Sequence, residues 1–256
     1  MILKQPYPVL EFDTGRQAIL EAIPNPQIKP LEKAVLCFFN DILEAWVRDG
    51  RLAPVGSLIS EIGPNPLYRL DQDGQSILVL HPGVGAPLSA AFLEEIIASG
   101  INKAIACGGC GVLDGSIDVG HPLIVDSAVR DEGTSYHYLP PGREATAHPD
   151  AILALEDTFT AHQLPIHKVK TWTTDGVYRE TPAKRTQRLI EGCKVVEMEA
   201  SAFFAVAHFR NIKMGQIVYG GDLVIPEGWD SRNWNSHLSA REMLFRLAVE
   251  AVLRLA

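Results

Sequence analysis

Short apolar runs that stop at glycine or proline constrain this chain most. Ala34–Phe39 (AVLCFF), Ser76–His81 (SILVLH), Lys103–Cys107 (KAIAC), Pro122–Val129 (PLIVDSAV) and Met214–Tyr219 (MGQIVY) are too short for buried helices. They are apolar enough for strands covered on both faces. Two further runs, His167–Thr171 and Val195–Met198, read the same way. Between them lie segments with helical spacing: Asp41–Val47, Leu88–Ser99, Ala151–His162, Ala200–Phe209 and Ser239–Leu255. Leu88–Ser99 ends at Gly100, a glycine stop signal. This alternation predicts an α/β fold with helices on both faces of a mostly parallel sheet. Ligands of such sheets sit beyond strand carboxyl ends. The loops to read are therefore 81–87, 107–115, 171–181, 197–201 and 219–230.

Composition narrows the partners. The 256 residues carry 23 Lys and Arg against 31 Asp and Glu, a formal net charge of −8. A duplex nucleic acid is a poor partner for such a chain, because phosphate binding needs clustered basic side chains. Hydrophobic residues at 46% and charged residues at 21% exclude a disordered chain. Residues 1–256 read as one domain, since neither 24–30 nor 139–149 is long enough to link two. Met1–Leu10 holds two prolines and no apolar run of signal-peptide length, and no stretch has the length of a membrane span. The expectation is a cytoplasmic protein with reduced cysteines at 37, 107, 110 and 193.

Four post-strand segments carry candidate chemistry. In His81-Pro-Gly-Val-Gly-Ala-Pro, Gly83 either makes a structural turn or opens backbone N–H groups to an anion. Cys107-Gly-Gly-Cys-Gly has the C-x-x-C spacing of a metal or redox pair, but further ligands at metal spacing are missing. A tight loop whose Gly108 and Gly109 leave room for a ligand is the favoured reading. Val196-Glu197-Met198-Glu199-Ala200 sets two carboxylates between a buried strand and an apolar helix. A hydroxyl-rich ligand suits such a carboxylate, and the helix dipole is the competing explanation, better for Glu199 than for Glu197. Tyr219-Gly-Gly-Asp222 ends a strand with an acid, placed either for proton transfer or for a turn.

Taken in order, GVGAP, GGCG-x-L, SAVRDEGTS, VEMEASA and a strand ending in GD resemble the nucleoside phosphorylase-I superfamily, from about residue 76 to the C-terminus. AVRDEGTSYHYLPP and TTDGVYRET are most similar to its uridine phosphorylase-like branch. The resemblance implies a three-layer αβα sandwich around a mixed, partly barrel-like sheet. It implies that Met198 and Glu199 bind ribose, with Glu199 accepting from the 2′- and 3′-hydroxyls. Asp222 matches the acid that serves the leaving base in purine-specific members, and Val177 and Tyr178 lie near the base by the same match. Uridine-specific members lack that aspartate, so the base stays open.

The phosphate contacts depart from the family pattern. Ala106 and Gly109 stand where family phosphorylases have an arginine and a Ser or Thr. The amino-terminal G-x-P-x-R loop is not evident, and Arg16 has other surroundings. Arg130 and Arg179, with backbone N–H groups at Gly83, Gly108 and Gly109, are the substitutes, and ion pairs with Asp131 and Glu180 are the structural alternatives for the arginines. The resemblance implies a pentosyltransferase of nucleoside salvage: nucleoside and phosphate give free base and ribose-1-phosphate. Its alternatives are a nucleosidase using water and a nucleoside-binding protein without turnover. No cofactor or metal is expected, with phosphate as co-substrate, and a homo-oligomer, dimer or hexamer, is implied. Tyr7, Arg69 and His137 are stand-ins for residues lent by a neighbour. Trp229, Asp230, Arg232 and Trp234 form a Trp-rich segment over the base or an interface.

Overall fold

Period-two alternation in the apolar runs builds a sheet with a separate core on each face. The computed structural model describes residues 2–28 and 30–256. In chain order the elements begin β1 (Lys33–Cys37), α1 (Asn40–Arg48), β2 (Ala53–Ser60), β3 (Gly63–Gln72), β4 (Gln75–Leu80) and α2 (Ala86–Ala98). Next come β5 (Lys103–Val112), β6 (Pro122–Asp131), β7 (Glu144–Thr146), α3 (Pro149–Ala161) and β8 (Lys168–Thr174). The chain closes with α4 (Pro182–Ile190), β9 (Cys193–Glu197), α5 (Ala200–Arg210), β10 (Lys213–Ile225), β11 (Gly228–Asp230) and α6 (Leu238–Arg254).

Alternate residues of β1 point to opposite faces. Val35 and Cys37 join a core with α1, α3 and α6, and Ala34 and Leu36 join one with α2 and α5. Helix α5 is buried over Ala200–Ala207, which explains why its sequence is apolar all round. The result is the expected three-layer arrangement: helices, mixed sheet, helices. Strands β5, β10, β6, β8 and β9 pair in turn, and β9 returns to β5 through Gly111↔Val196 and Val112↔Val195. Beyond β5, the strands β1, β4, β3 and β2 run outward as an open sheet. The sheet is thus partly barrel-like without being a closed barrel. It is mixed rather than mostly parallel, since β5 meets β9, and β6 meets β10, antiparallel.

Three local expectations change. The Cys107–Val112 stretch is strand, not a loop, and β10 likewise continues through Gly220 and Gly221, with a register shift before Leu223. These glycines do not turn the chain. They remove side chains where strands crowd: a Cβ at Gly111 would lie 2.8 Å from Val196 Cγ1, and one at Gly220 would lie 2.8 Å from the Asp118 carbonyl. Gly83 and Gly85, with φ of 79° and 88°, do make the expected post-strand turn. The β2–β3 hairpin is hidden in the sequence because Pro54, Pro64 and Pro66 break its alternation; β2 lies at the end of the strand order, where proline is tolerated. Helix α4 leaves no apolar stripe in the sequence, because it is polar and buries only Arg188. Among the described residues, no helix is long and apolar enough to cross a membrane.

Candidate active site

The site is built where β9 hands over to α5. Val195 and Val196 are buried strand residues, and the strand ends at Glu197. Glu197 Oε2 accepts from the backbone N–H of Glu199 at 2.9 Å and of Ala200 at 2.7 Å. Its other oxygen, Oε1, takes the Thr173 hydroxyl at 2.6 Å. Glu197 therefore satisfies donors that the first turn of α5 leaves free. The helix-terminus explanation fits Glu197, and it is Glu199 that remains free for other work. This reverses the sequence expectation, because the chain bends at Met198 and strand alternation no longer applies.

Glu199 caps α5 by position, yet its side chain bonds elsewhere. Its Oε1 accepts from the Gly85 N–H at 2.6 Å, at the head of α2 and next to Gly83. Gly83 in turn donates its own N–H to His81 Nδ1 at 3.1 Å. Glu199 is only 6% exposed. Burial, and then the charge of Glu197 beside it, push its carboxyl up to about 8. Met198 beside it is half-buried.

A second acidic group faces the same stretch of β5. Asp222 lies on β10 at the register shift between Gly220 and Leu223, beside Gly111. Its Oδ2 accepts from Trp229 Nε1 at 2.6 Å. Cys110 of β5 feels the charges of both Glu197 and Asp222, so both acidic ends lie near it. Glu180 joins them from the turn after β8. Burial, and then the Asp222 charge, raise its carboxyl to about 7. The sequence pattern presents Glu180 only as a partner for Arg179. Its place in an acid-rich turn after a strand was the available signal.

The sequence-predicted residues do not all converge. Val177 and Tyr178 form a short 3₁₀ turn and are exposed, Tyr178 at 95%. Gly108 and Gly109 are strand residues in register with Val218 and Tyr219, so they do not form the expected cradle. Arg130 is buried and committed: its Nε donates to Ser135 Oγ at 2.8 Å, and its two other nitrogens donate to the carbonyls of Pro140 and Leu139. Those bonds clamp the 135–140 segment, and Asp131 pairs instead with Lys184 and Arg188. Arg179 is exposed, while its neighbour Glu180 turns inward. Cys107 and Cys110, three apart on a strand, join opposite cores and cannot share a ligand. Of the stand-ins for a neighbour's residues, Tyr7 and His137 are exposed, and Arg69 pairs with Asp71.

The arrangement offers one carboxyl, Glu199, beside a glycine turn, and two more, Asp222 and Glu180, that feel each other. A neutral or hydroxyl-rich ligand suits it. A family model of the phosphorylase superfamily matches residues 51–253. A guanosine phosphorylase of Halorubrum lacusprofundi is 26% identical over 182 residues, covering 68% of this chain and 76% of its own length. The uridine phosphorylase of Escherichia coli is 23% identical over 73% of this chain and 79% of its own length. The uridine phosphorylase of Haemophilus influenzae is 26% identical, and the match spans 63% of its length. Among solved structures, a purine nucleoside phosphorylase from Toxoplasma gondii in complex with immucillin-H superposes with a TM-score of 0.71 at 20% identity, over 93% of this chain and 98% of that one. An AMP nucleosidase from Bacteroides thetaiotaomicron superposes with a TM-score of 0.69 at 19% identity, over 87% and 88%. At these identities, the superpositions speak to fold alone.

Proposed function

This chain belongs to the phosphorylase superfamily, and from that membership we propose that it cleaves the N-glycosidic bond of a nucleoside with phosphate, releasing free base and ribose-1-phosphate. The observation that carries the reading is Glu199. A buried carboxyl next to Met198, held at a glycine turn and spared from capping its helix, is a ready acceptor for two adjacent sugar hydroxyls. Those bonds strengthen as the sugar gains positive charge in the transition state, which is the difference that catalysis requires. Asp222 serves the leaving base, by a hydrogen bond or a proton at the purine ring nitrogen. The names of the relatives, guanosine and uridine phosphorylases, support phosphate as acceptor and leave purine and pyrimidine bases both in play.

Water is the second reading, favoured by one observation. Ala106 and Gly109 offer no charge, and the Arg130 guanidinium is occupied by its own chain. Capture of a phosphate ordinarily uses charge-assisted bonds. The test is base release from uridine, inosine, guanosine and adenosine, each with and without phosphate. Release that rises with phosphate concentration, with ribose-1-phosphate as product, is expected. Equal rates with free ribose as product overturn phosphorolysis in favour of hydrolysis. No release with either acceptor, despite nucleoside binding by calorimetry, leaves a binding protein. In the same assay, Asp222→Asn is expected to slow inosine and guanosine more than uridine. Unchanged inosine turnover would remove Asp222 from the role.

A further inference from the structure

Trp229 is placed against the ordinary preference of its side chain. A tryptophan carries a large apolar surface with one polar group. Here the residue is 64% exposed, while its one N–H donates to Asp222 Oδ2 at 2.6 Å. The arrangement is held by backbone. Trp229 sits on β11 opposite Val224, between the pairs Leu223↔Asp230 and Ile225↔Gly228. The segment that follows is pinned as well. Arg232 Nη1 donates to the Ile117 carbonyl at 2.8 Å, and the Tyr219 hydroxyl donates to the Trp234 carbonyl at 2.6 Å. Arg232 and Asn233 hold left-handed conformations at φ of 46° and 50°, costs that a loose loop would shed. The indole is therefore anchored while its surface is left bare.

Asp222 needs such a partner. It lies where the β5–β10 register shifts, so its backbone is set apart from the regular ladder. Glu180, Cys110 and Tyr219 each feel its charge, and none of these three supplies a positive one. The indole N–H is the donor that orients it. We propose that Trp229 has two roles in one side chain: its ring is the platform on which the nucleoside base stacks, and its N–H positions Asp222 toward that base. The ligand class follows from the chemistry. It is a flat heteroaromatic base with a ring nitrogen within reach of Asp222, which a purine provides.

The proposal rests on the nucleoside reading, and two measurements keep them apart. The first is tryptophan fluorescence of the full chain titrated with inosine, adenosine and uridine. The chain has four tryptophans, and Trp229 is more exposed than Trp234 at 39% and than the buried Trp46 and Trp172. Purine nucleosides should quench the emission, and Trp229→Phe should lose that quench. The second is kinetics and binding of Trp229→Phe and Trp229→Ala with inosine. Phenylalanine keeps a stacking face and loses the N–H, so kcat should fall about tenfold with KM held within about threefold. Alanine loses both, so the dissociation constant should also weaken by about tenfold or more, the scale of one base–aromatic stack.

Wild-type affinity in Trp229→Ala, or wild-type kcat in Trp229→Phe, overturns the proposal. So does a change in oligomer mass in Trp229→Ala with nucleoside binding intact, which would make the ring an interface residue. Should Trp229→Ala fail to fold, Trp229→Phe and Trp229→Tyr decide the matter by the same split between kcat and KM. If the wild-type protein releases no base under any condition, the reaction reading fails. The quench then still judges the platform, whose absence overturns it.

Discussion

Glu199→Gln is expected to lower kcat by about two to three orders of magnitude, the scale on which one group that stabilises transition-state charge acts. The substitution keeps the shape and an acceptor for the Gly85 N–H. It removes the negative charge that stabilises a developing oxocarbenium ion. The same change is expected to stabilise the fold at alkaline pH. Burial and the neighbouring Glu197 charge raise the Glu199 carboxyl to about 8, well above an unfolded carboxyl. The folded chain therefore holds this proton more tightly than the unfolded one. The stability it contributes is full below the unfolded carboxyl range and is lost as pH climbs through about 8. Glutamine has no proton to lose. Thermal melts should show a larger gain in Tm for Glu199→Gln at pH 9 than at pH 5, about 2–4 °C for each kcal/mol. Equal melting curves at both pH values would show that Glu199 carries no such burden. For the wild type, KM should fall as pH rises toward about 8, because the ionised carboxylate is the better acceptor for sugar hydroxyls.

Glu197→Ala is expected to be the costliest single change to stability near the site, by about 3–5 kcal/mol. It strips the acceptor from the Glu199 and Ala200 N–H groups and from the Thr173 hydroxyl. It also strips the weaker contacts from Thr171 Oγ1 at 3.3 Å and Gln216 Nε2 at 3.4 Å. All of these donors are buried, where water cannot replace the lost partner. A drop in Tm of about 10 °C or more follows from that cost, with activity falling in step with the folded fraction. The Glu199 and Glu197 variants thus separate the neighbours: one loses turnover and keeps the fold, the other loses the fold first. A Glu197→Ala protein that melts like the wild type would show that water has entered the network.

Much of the architecture is legible along the chain. Seven strand runs, among them Ala34–Phe39 and Ser76–His81, and five helical segments, among them Leu88–Ser99 and Ser239–Leu255, coincide with observed elements. The strands are short apolar runs bounded by glycine or proline, and the helices are longer apolar or amphipathic segments. The glycine-rich stretches misled, because glycine signals a turn and, equally, a strand with no room for a side chain. At Gly111 and Gly220 the second cause operates, and it comes from Val196 and Asp118, both distant in sequence. The hairpin of β2 and β3 and the helix α4 carry proline and polar residues that blur their periods. Arg130 stood out as a spare cation, and only the carbonyls of Leu139 and Pro140 show that it is spent.

By itself the sequence determined the succession of strands and helices, the two-faced apolar pattern that makes three layers, and the family motifs around Met198, Glu199 and Asp222. These are local properties: backbone periodicity, side-chain volume and residue type act over a few positions. The tertiary structure alone decided which of two adjacent glutamates caps a helix and which stays available. It also decided that Cys107 and Cys110 face apart and that Trp229 reaches Asp222. Glu199 meets a backbone N–H 114 residues away, at Gly85. A hydrogen bond extends over about 3 Å and fixes direction as well as distance. Pairings of that kind exist only once the strands have closed around β5.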